Sequence, residues 1–370
     1  MKILWLSWKD SAHPLAGGAE TVSTQIRERL VSNGHTVSLM TSSYPNALPK
    51  ETVNGVEIIR LGNRYSVYLK VRSYYKAFLT DWPDLIIDEM NTLPFASSFY
   101  SSQKNILLTY QLAREVWFYQ IAFPFSLIGF LVESLYLRLL AAKGRYELAL
   151  TESTSTKVDL IKHGFSDEFV RVFRVGMALQ PLSSLPQKKD RTTILSLGTL
   201  RPMKRTLHAI KAFETARDII PTLQLVVAGD ATGWYGAKIT RYVHASRHRD
   251  AIIVKGRVPL EVRVSLMKEA SLILVTSIKE GWGLTVTEAN SQGTPAIAYD
   301  TDGLRDSLKD KETGMLVTSG DYRQMGKTIV EILDDTKRYD SLRENAWEWS
   351  KEFTFENSYG DFVNAMSALD

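Results

Sequence analysis

The stretch Glu280-Gly-Trp-Gly-Leu-Thr-Val-Thr-Glu288 follows an apolar run, Ser271-Leu-Ile-Leu-Val-Thr-Ser277, and leads into a helical run that stops near Gly293. The apolar run reads as a buried strand. A strand, a glycine-bearing loop and a helix start together make an anion site, because the first N–H groups of a helix lack intrahelical partners and point at whatever binds there. Gly281 and Gly283 let the backbone approach a ligand, the N–H groups from Gly283 through Leu284 to Thr285 face it, and Thr285 adds a hydroxyl. Glu280 and Glu288 flank this site, one on the loop and one about a turn into the helix. A carboxylate repels phosphate, so these two are better placed to accept hydrogen bonds from hydroxyls on either side of it. Sugar hydroxyls, a diphosphate and ribose hydroxyls, the parts of a nucleotide sugar, present that pattern.

Working outward, Thr192-Thr-Ile-Leu-Ser-Leu197 begins a similar unit. Its loop, Gly198-Thr-Leu-Arg-Pro-Met-Lys204-Arg205, leads into a helix around Leu207 to Thr215. A lysine on such a loop neutralises a departing diphosphate, and Arg201 and Arg205 add charge. Further strands are expected at Leu223–Asp230, at Ala251–Val258 and at Gly293–Ala298, whereas the basic run Arg241–Arg249 reads as a solvated helix face. Before this unit, Ala178 to Arg191 holds two prolines, two serines and the basic patch Gln187-Lys-Lys-Asp-Arg191, which predicts a linker. The last helices carry Trp347, Trp349, Phe353 and Phe355.

The first half opens with a strand, a loop containing Gly17 and Gly18, a helix stopped by Asn33-Gly34, and the strand His35–Thr41. This is again a Rossmann-like opening, but without the G-x-G-x-x-G fingerprint, which argues against a dinucleotide oxidoreductase. Val53-Asn-Gly-Val56 predicts a hairpin. Strands at Asp84–Asp88, Lys104–Thr109, Glu147–Thr151 and Phe169–Val-Arg-Val-Phe173, separated by helical or polar stretches, predict a mostly parallel sheet covered on both faces. The run Ile121–Leu140 is the most apolar of the chain. As a membrane span it would bury Glu133 at a cost of roughly 3 kcal/mol. Two readings remain for it: a buried core helix, or a partly exposed helix that rests on a membrane or holds a lipid-linked acceptor.

Length and composition set the outer limits. A chain of 370 residues predicts two domains. An apolar share of 44%, a charged share of 23% and a net charge of +4 describe a soluble globular protein that is not a nucleic-acid binder. The absence of cysteine excludes disulfides, thiol catalysis and cysteine-held metal. Met1–Ser7 is too short, and too soon followed by Lys9 and Asp10, for a signal peptide, so cytoplasmic residence is expected.

Glu280 and Glu288, seven residues apart, resemble the E-x7-E motif of retaining GT-B glycosyltransferases of glycosyltransferase family 4. The resemblance extends along essentially the whole chain and is densest from Gly198 to Asp306. Gly198, Leu200 and Lys204 match the family's G-R-L pattern and its following lysine, with Thr199 in the arginine position. Gly293-Thr-Pro-Ala-Ile-Ala298 and Asp302-Gly-Leu-Arg-Asp306 match its next strand and turn. Tyr110 stands where a histidine that touches the donor sugar is common, and Val175 precedes Gly176 where asparagine is common.

The resemblance implies an α/β fold of two Rossmann-like domains facing across a cleft, with a C-terminal helix crossing back to the first. The expected division is 1–176 on the acceptor side, 177–350 for the nucleotide sugar, and 351–370 for the returning helix. It implies a retaining hexosyltransferase that needs no metal or cofactor, since protein cations meet the diphosphate. Its substrates would be a nucleotide-diphosphate sugar and a glycan or lipid-linked glycan, with peripheral contact at the inner face of a membrane and no span. Glu280 and Lys204 would be catalytic. Gly17, Gly18, Arg201, Arg205, Val258, Gly281, Gly283, Leu284, Thr285 and Glu288 would bind donor, Val258 reading the base through its backbone. His13 and Tyr110 are candidates for contact with acceptor or sugar. A nucleotide-sugar epimerase and a non-catalytic nucleotide-sugar-binding subunit remain as alternatives.

Overall fold

The computed structural model describes residues 1–188 and 191–367, so Lys189 and Asp190 of the basic patch, and the last three residues of the expected terminal segment, lie outside it. Two compact units emerge. One comprises Met1–Arg114, Leu127–Ala178 and Thr354–Asp370, and the other Glu115–Ser126 and Leu179–Phe353.

In chain order the elements up to the linker are β1 (Lys2–Leu6), α1 (Gly18–Ser32), β2 (Thr36–Thr41), β3 (Lys50–Val53), β4 (Val56–Arg60), α2 (Val67–Phe78), β5 (Leu85–Met90), β6 (Lys104–Thr109), α3 (Trp117–Gln120), α4 (Phe125–Leu140), β7 (Leu148–Thr151), α5 (Thr154–Lys162) and β8 (Val170–Val172). The strands form one sheet, ordered β3-β4-β2-β1-β5-β6-β7-β8. All its pairings are parallel except the β3–β4 hairpin, whose turn places Asn54 and Gly55 at positive φ as the Asn-Gly signal requires. β5 and β6 are buried almost throughout, as strands covered on both faces must be.

After the linker come β9 (Thr193–Leu197), α6 (Thr206–Arg217), β10 (Gln224–Ala228), α7 (Trp234–Ala245), β11 (Ile252–Gly256), α8 (Leu260–Glu269), β12 (Leu272–Val275), α9 (Leu284–Ser291), β13 (Ala296–Tyr299), β14 (Gly314–Val317), α10 (Tyr322–Asp334), α11 (Thr336–Ser350) and α12 (Phe355–Met366). The second sheet is parallel, ordered β11-β10-β9-β12-β13-β14. Counted within the unit this is 3-2-1-4-5-6, the doubly wound order, and its switch point lies between β9 and β12. The first sheet repeats the rule with its switch between β1 and β5. Ligand crevices open at the carboxyl ends of strands beside such a point, so the loops after β1, β5, β9 and β12 are where function is expected.

Four expectations change. Residues 115–126 do not stay with the first half but join the second unit. Glu115 lies 3.9 Å from Lys279, and the Gln120 amide meets the Met203 sulfur at 3.5 Å. The predicted linker is packed from Leu179 onward: the Leu182 N–H donates to Ser291 O, and Trp347 Nε1 donates to Leu182 O, both at 2.9 Å. Trp347, Trp349 and Phe353 therefore anchor inside the second unit, and the return to the first unit is made by Phe355 and Phe362 on α12. Finally, α4 is not a buried core helix. Leu137 and Leu140 are buried, but most of its apolar side chains face outward.

Candidate functional site

The two loops at the switch point of the second unit are sewn together by hydrogen bonds. The Thr276 hydroxyl donates to the carbonyls of Lys204 (2.8 Å) and Arg205 (3.0 Å), and the Ile278 N–H donates to Met203 O at 2.9 Å. These bonds fix the short turn Pro202–Lys204 and leave the Lys204 side chain directed at Glu280, with Nζ 2.5 Å from Oε1. The Ser277 hydroxyl donates to the same carboxylate oxygen at 2.5 Å. Gly198, Lys204, Ser277, Glu280 and Thr285 line one narrow pocket of about 20 Å³. Residues 76 apart in sequence thus form one charged pair because β9 and β12 are neighbours in the sheet.

The loop after Glu280 is held from behind by residues 300–307. Glu280 N–H donates to Asp302 O at 3.0 Å, and Lys279 Nζ meets Asp302 Oδ2 at 2.7 Å. A β-carbon on Gly303 would lie 2.3 Å from Glu280 O, and one on Gly283 would lie 2.8 Å from a Leu304 methyl. Gly283 also caps α9 at φ +98°, a conformation that favours glycine. Trp282, between the two loop glycines, packs on Phe353 with ring centroids 5.1 Å apart, so the loop is clamped on its far side as well. The first N–H groups of α9, at Leu284 and Thr285, have no carbonyl a turn earlier to bond.

Glu288 is buried within α9, with Arg263 Nη2 at 3.4 Å from Oε1. Burial pushes its carboxyl above the ordinary glutamate value, and Arg263 opposes the shift. Arg263 and Ser277 are partners that the spacing argument does not reveal: Arg263 sits on α8 in no motif, and Ser277 only closes the strand signal. Arg205 is turned away to Tyr119 Oη (2.8 Å) and Ser319 Oγ (3.2 Å). Its guanidinium thereby ties residues 115–126 to the unit. Arg201 is exposed. The Val258 side chain packs against the core, which leaves only its backbone for a ligand. The one Asp-x-Asp pair of the chain, Asp300-Thr301-Asp302, meets protein cations: Asp300 pairs with Arg305 at 2.6 Å and Asp302 with Lys279.

In the first unit, Gly17 and Gly18 lie exposed where the loop after β1 enters α1. Glu20 returns to accept from the Gly17 N–H at 2.6 Å, and Lys9 and Asn91 hold its other oxygen, each at 2.9 Å. His13 lies between Trp8 and Tyr44, edge-on to each with centroids 5.4 Å apart. Its Nδ1 accepts from the Leu15 N–H at 3.0 Å, and burial lowers its pKa below the ordinary 6.5. Tyr110 does not offer its hydroxyl to a ligand. It is 6% exposed, its oxygen lies 2.6 Å from Ser23 Oγ, and burial beside Glu89 raises its pKa. It belongs to a buried network in which Glu89 accepts from Trp5 Nε1 and Ser23 Oγ. Tyr110 is therefore a core residue of this unit.

Residues 182–349 match the model of the glycosyl transferases group 1. Poly(glycerol-phosphate) alpha-glucosyltransferase of Bacillus subtilis is 26% identical over 187 residues, which are 50% of this chain and 27% of that protein. The match thus spans well under half of this relative. Among solved structures, sucrose-phosphate synthase from Thermosynechococcus elongatus aligns over 100% of both chains with a TM-score of 0.79 at 20% identity. The Anabaena protein HepE, in complex with UDP-glucose, aligns over 100% of both chains at 0.76 and 17%. At such identities these structures establish the fold, two Rossmann-like units of the GT-B type, and the segment that carries Lys204 and the Glu280–Glu288 motif is the part of this chain that matches the glycosyl transferases group 1.

Proposed function

We propose that this chain transfers a sugar from a nucleotide-diphosphate sugar to an acceptor hydroxyl, with retention of configuration and without a metal ion. The observation that carries the reading is the pocket at the β9/β12 switch point, where an ammonium, a carboxylate and a helix N-terminus converge on one small volume. The UDP-glucose held by the structural neighbour HepE agrees with such a donor.

Lys204 and the N–H groups of Leu284 and Thr285 would bind the diphosphate and stabilise the charge it gains as the bond to the sugar's anomeric carbon breaks. The acceptor oxygen forms the new bond to that carbon, and its proton passes to the departing diphosphate on the same face. Glu280, free of Lys204 once the phosphates take the ammonium, would hold sugar hydroxyls. Glu288 would accept from the ribose hydroxyls. Gly17 and Gly18 would admit the donor phosphate and acceptor close to the backbone of their loop. The acceptor would be a glycan or a lipid-linked glycan.

The test is thermal unfolding of the full chain against a panel of nucleoside diphosphates and their sugar conjugates, with and without EDTA. A ligand at about a hundred times its dissociation constant adds ~2.7 kcal/mol, so one nucleotide family should raise the midpoint, equally in EDTA and not in Lys204→Ala. The product's anomeric configuration, read by NMR, then decides retention. No shift with any member of the panel overturns the donor site.

A further inference from the structure

α4 is mounted the reverse way round from an ordinary surface helix. Its polar side chain Glu133 points inward and accepts the backbone N–H groups of Ala113 and Arg114, both at 2.7 Å. Leu137 and Leu140 complete the inner face. Outward stand Phe125, Ile128, Leu131, Val132, Leu135 and Leu139, with Phe125 66%, Leu131 57% and Leu135 62% exposed. At 100° per residue these six cover an arc of about 120° along a helix roughly 24 Å long. Soluble monomers rarely leave an apolar strip of this kind in water. Hydrogen bonds to Glu133, together with the burial of Leu137 and Leu140, set the rotation, so the exposure is built into the fold.

The surroundings say what covers it. The loop after β5 runs from α4 to α2: Tyr136 on α4 bonds the Thr92 carbonyl, Tyr68 on α2 packs on Phe95 at 4.8 Å, and Arg72 lies over the Tyr100 ring. Arg145, just beyond α4, lies over Phe99 at 4.1 Å. Lys70, Arg72 and Lys76 on α2, Arg138 on α4, and Lys143 and Arg145 just beyond α4 are all exposed. Neither helix exposes a carboxylate, since α2 contains no acidic residue and Glu133, the one acid of α4, is 1% exposed. An apolar strip with cations beside it and no exposed acid on either helix complements an anionic lipid surface: side chains enter the acyl boundary while the cations meet headgroups. Among the described residues no helix is long and apolar enough to cross a membrane, so the contact is one of lying on the surface.

We propose that the outward face of α4 docks this protein on an anionic membrane surface. Binding is independent of catalysis, so it stands or falls separately from the transferase reading. The test is flotation of the full chain with vesicles of phosphatidylcholine alone and of phosphatidylcholine with phosphatidylglycerol. The wild type should float with the anionic vesicles, less as salt rises, and stay behind with the neutral ones. Leu131→Gln/Leu135→Gln should cut partitioning roughly tenfold or more, because two apolar side chains would leave lipid for water, with the unfolding midpoint unchanged. Arg138→Gln/Lys143→Gln should weaken flotation on anionic vesicles alone. Failure of the wild type to float, or undiminished flotation of the leucine variant, overturns the proposal. So does a vesicle-free dimer that the leucine variant dissolves, which would assign the face to a second copy.

Discussion

Lys204 and Glu280 make a close pair, yet both are partly open to solvent, at 32% and 14% side-chain exposure. An ion pair with access to solvent contributes little to stability, so substituting either should change the unfolding midpoint slightly. Turnover is another matter. Glu280→Gln and Lys204→Ala should each lower sugar transfer by ~10²–10³, and near-normal turnover of either would remove that residue from the mechanism. Glu288 answers in the opposite way. Burial holds its carboxyl above the ordinary value of 4.5, so the fold favours the protonated form. Its contribution is therefore complete below that value and is lost as pH rises through the folded one. Glu288→Gln, neutral throughout, should melt at or above wild type near neutral pH, with an advantage that shrinks as pH falls toward 4.5. A variant less stable by several degrees at neutral pH would mean that Arg263 outweighs burial.

At the level of elements, strands and helices were legible wherever apolar period and glycine punctuation agreed, as in β12 and α9. The support behind them was not. Asp302 and Gly303 stand out in sequence as a turn, but only the structure puts that turn against Glu280. Gly303 has φ +76° and no room for a β-carbon, so Gly303→Ala should cost ~1–3 kcal/mol in chemical denaturation and displace the loop that carries Glu280. Gly17 makes the contrasting case. Its φ is −142° and a β-carbon there would sit 3.7 Å from Glu20 Oε2, an ordinary contact. Gly17→Ala should hold stability within ~0.5 kcal/mol. A fall in transfer would then report that the loop closes on the reacting centre, and unchanged transfer would take Gly17 out of the site.

For the whole molecule, chain order misleads. Each unit is assembled from separated segments, and hydropathy carries no mark of it: residues 115–126 join the second unit through side chains such as Tyr119, which no period or spacing singles out. The aromatic cluster of the last helices was visible, but its division was not, because Trp349 and Phe353 meet Trp282 while Phe362 meets Trp5 and Phe173. Phe362 is fully buried, stacked on Trp5 at 5.9 Å and edge-on to Phe173 at 5.5 Å, at opposite ends of the first unit's chain. α12 therefore closes the first core last in sequence. Phe362→Ala should cost ~3–5 kcal/mol through lost burial and the cavity it leaves, confined to that unit. Hydrogen exchange separates the outcomes: β1 and β8 amides should exchange faster while those of β9 and β12 keep their protection. Equal acceleration in both sheets would show that the two units unfold as one.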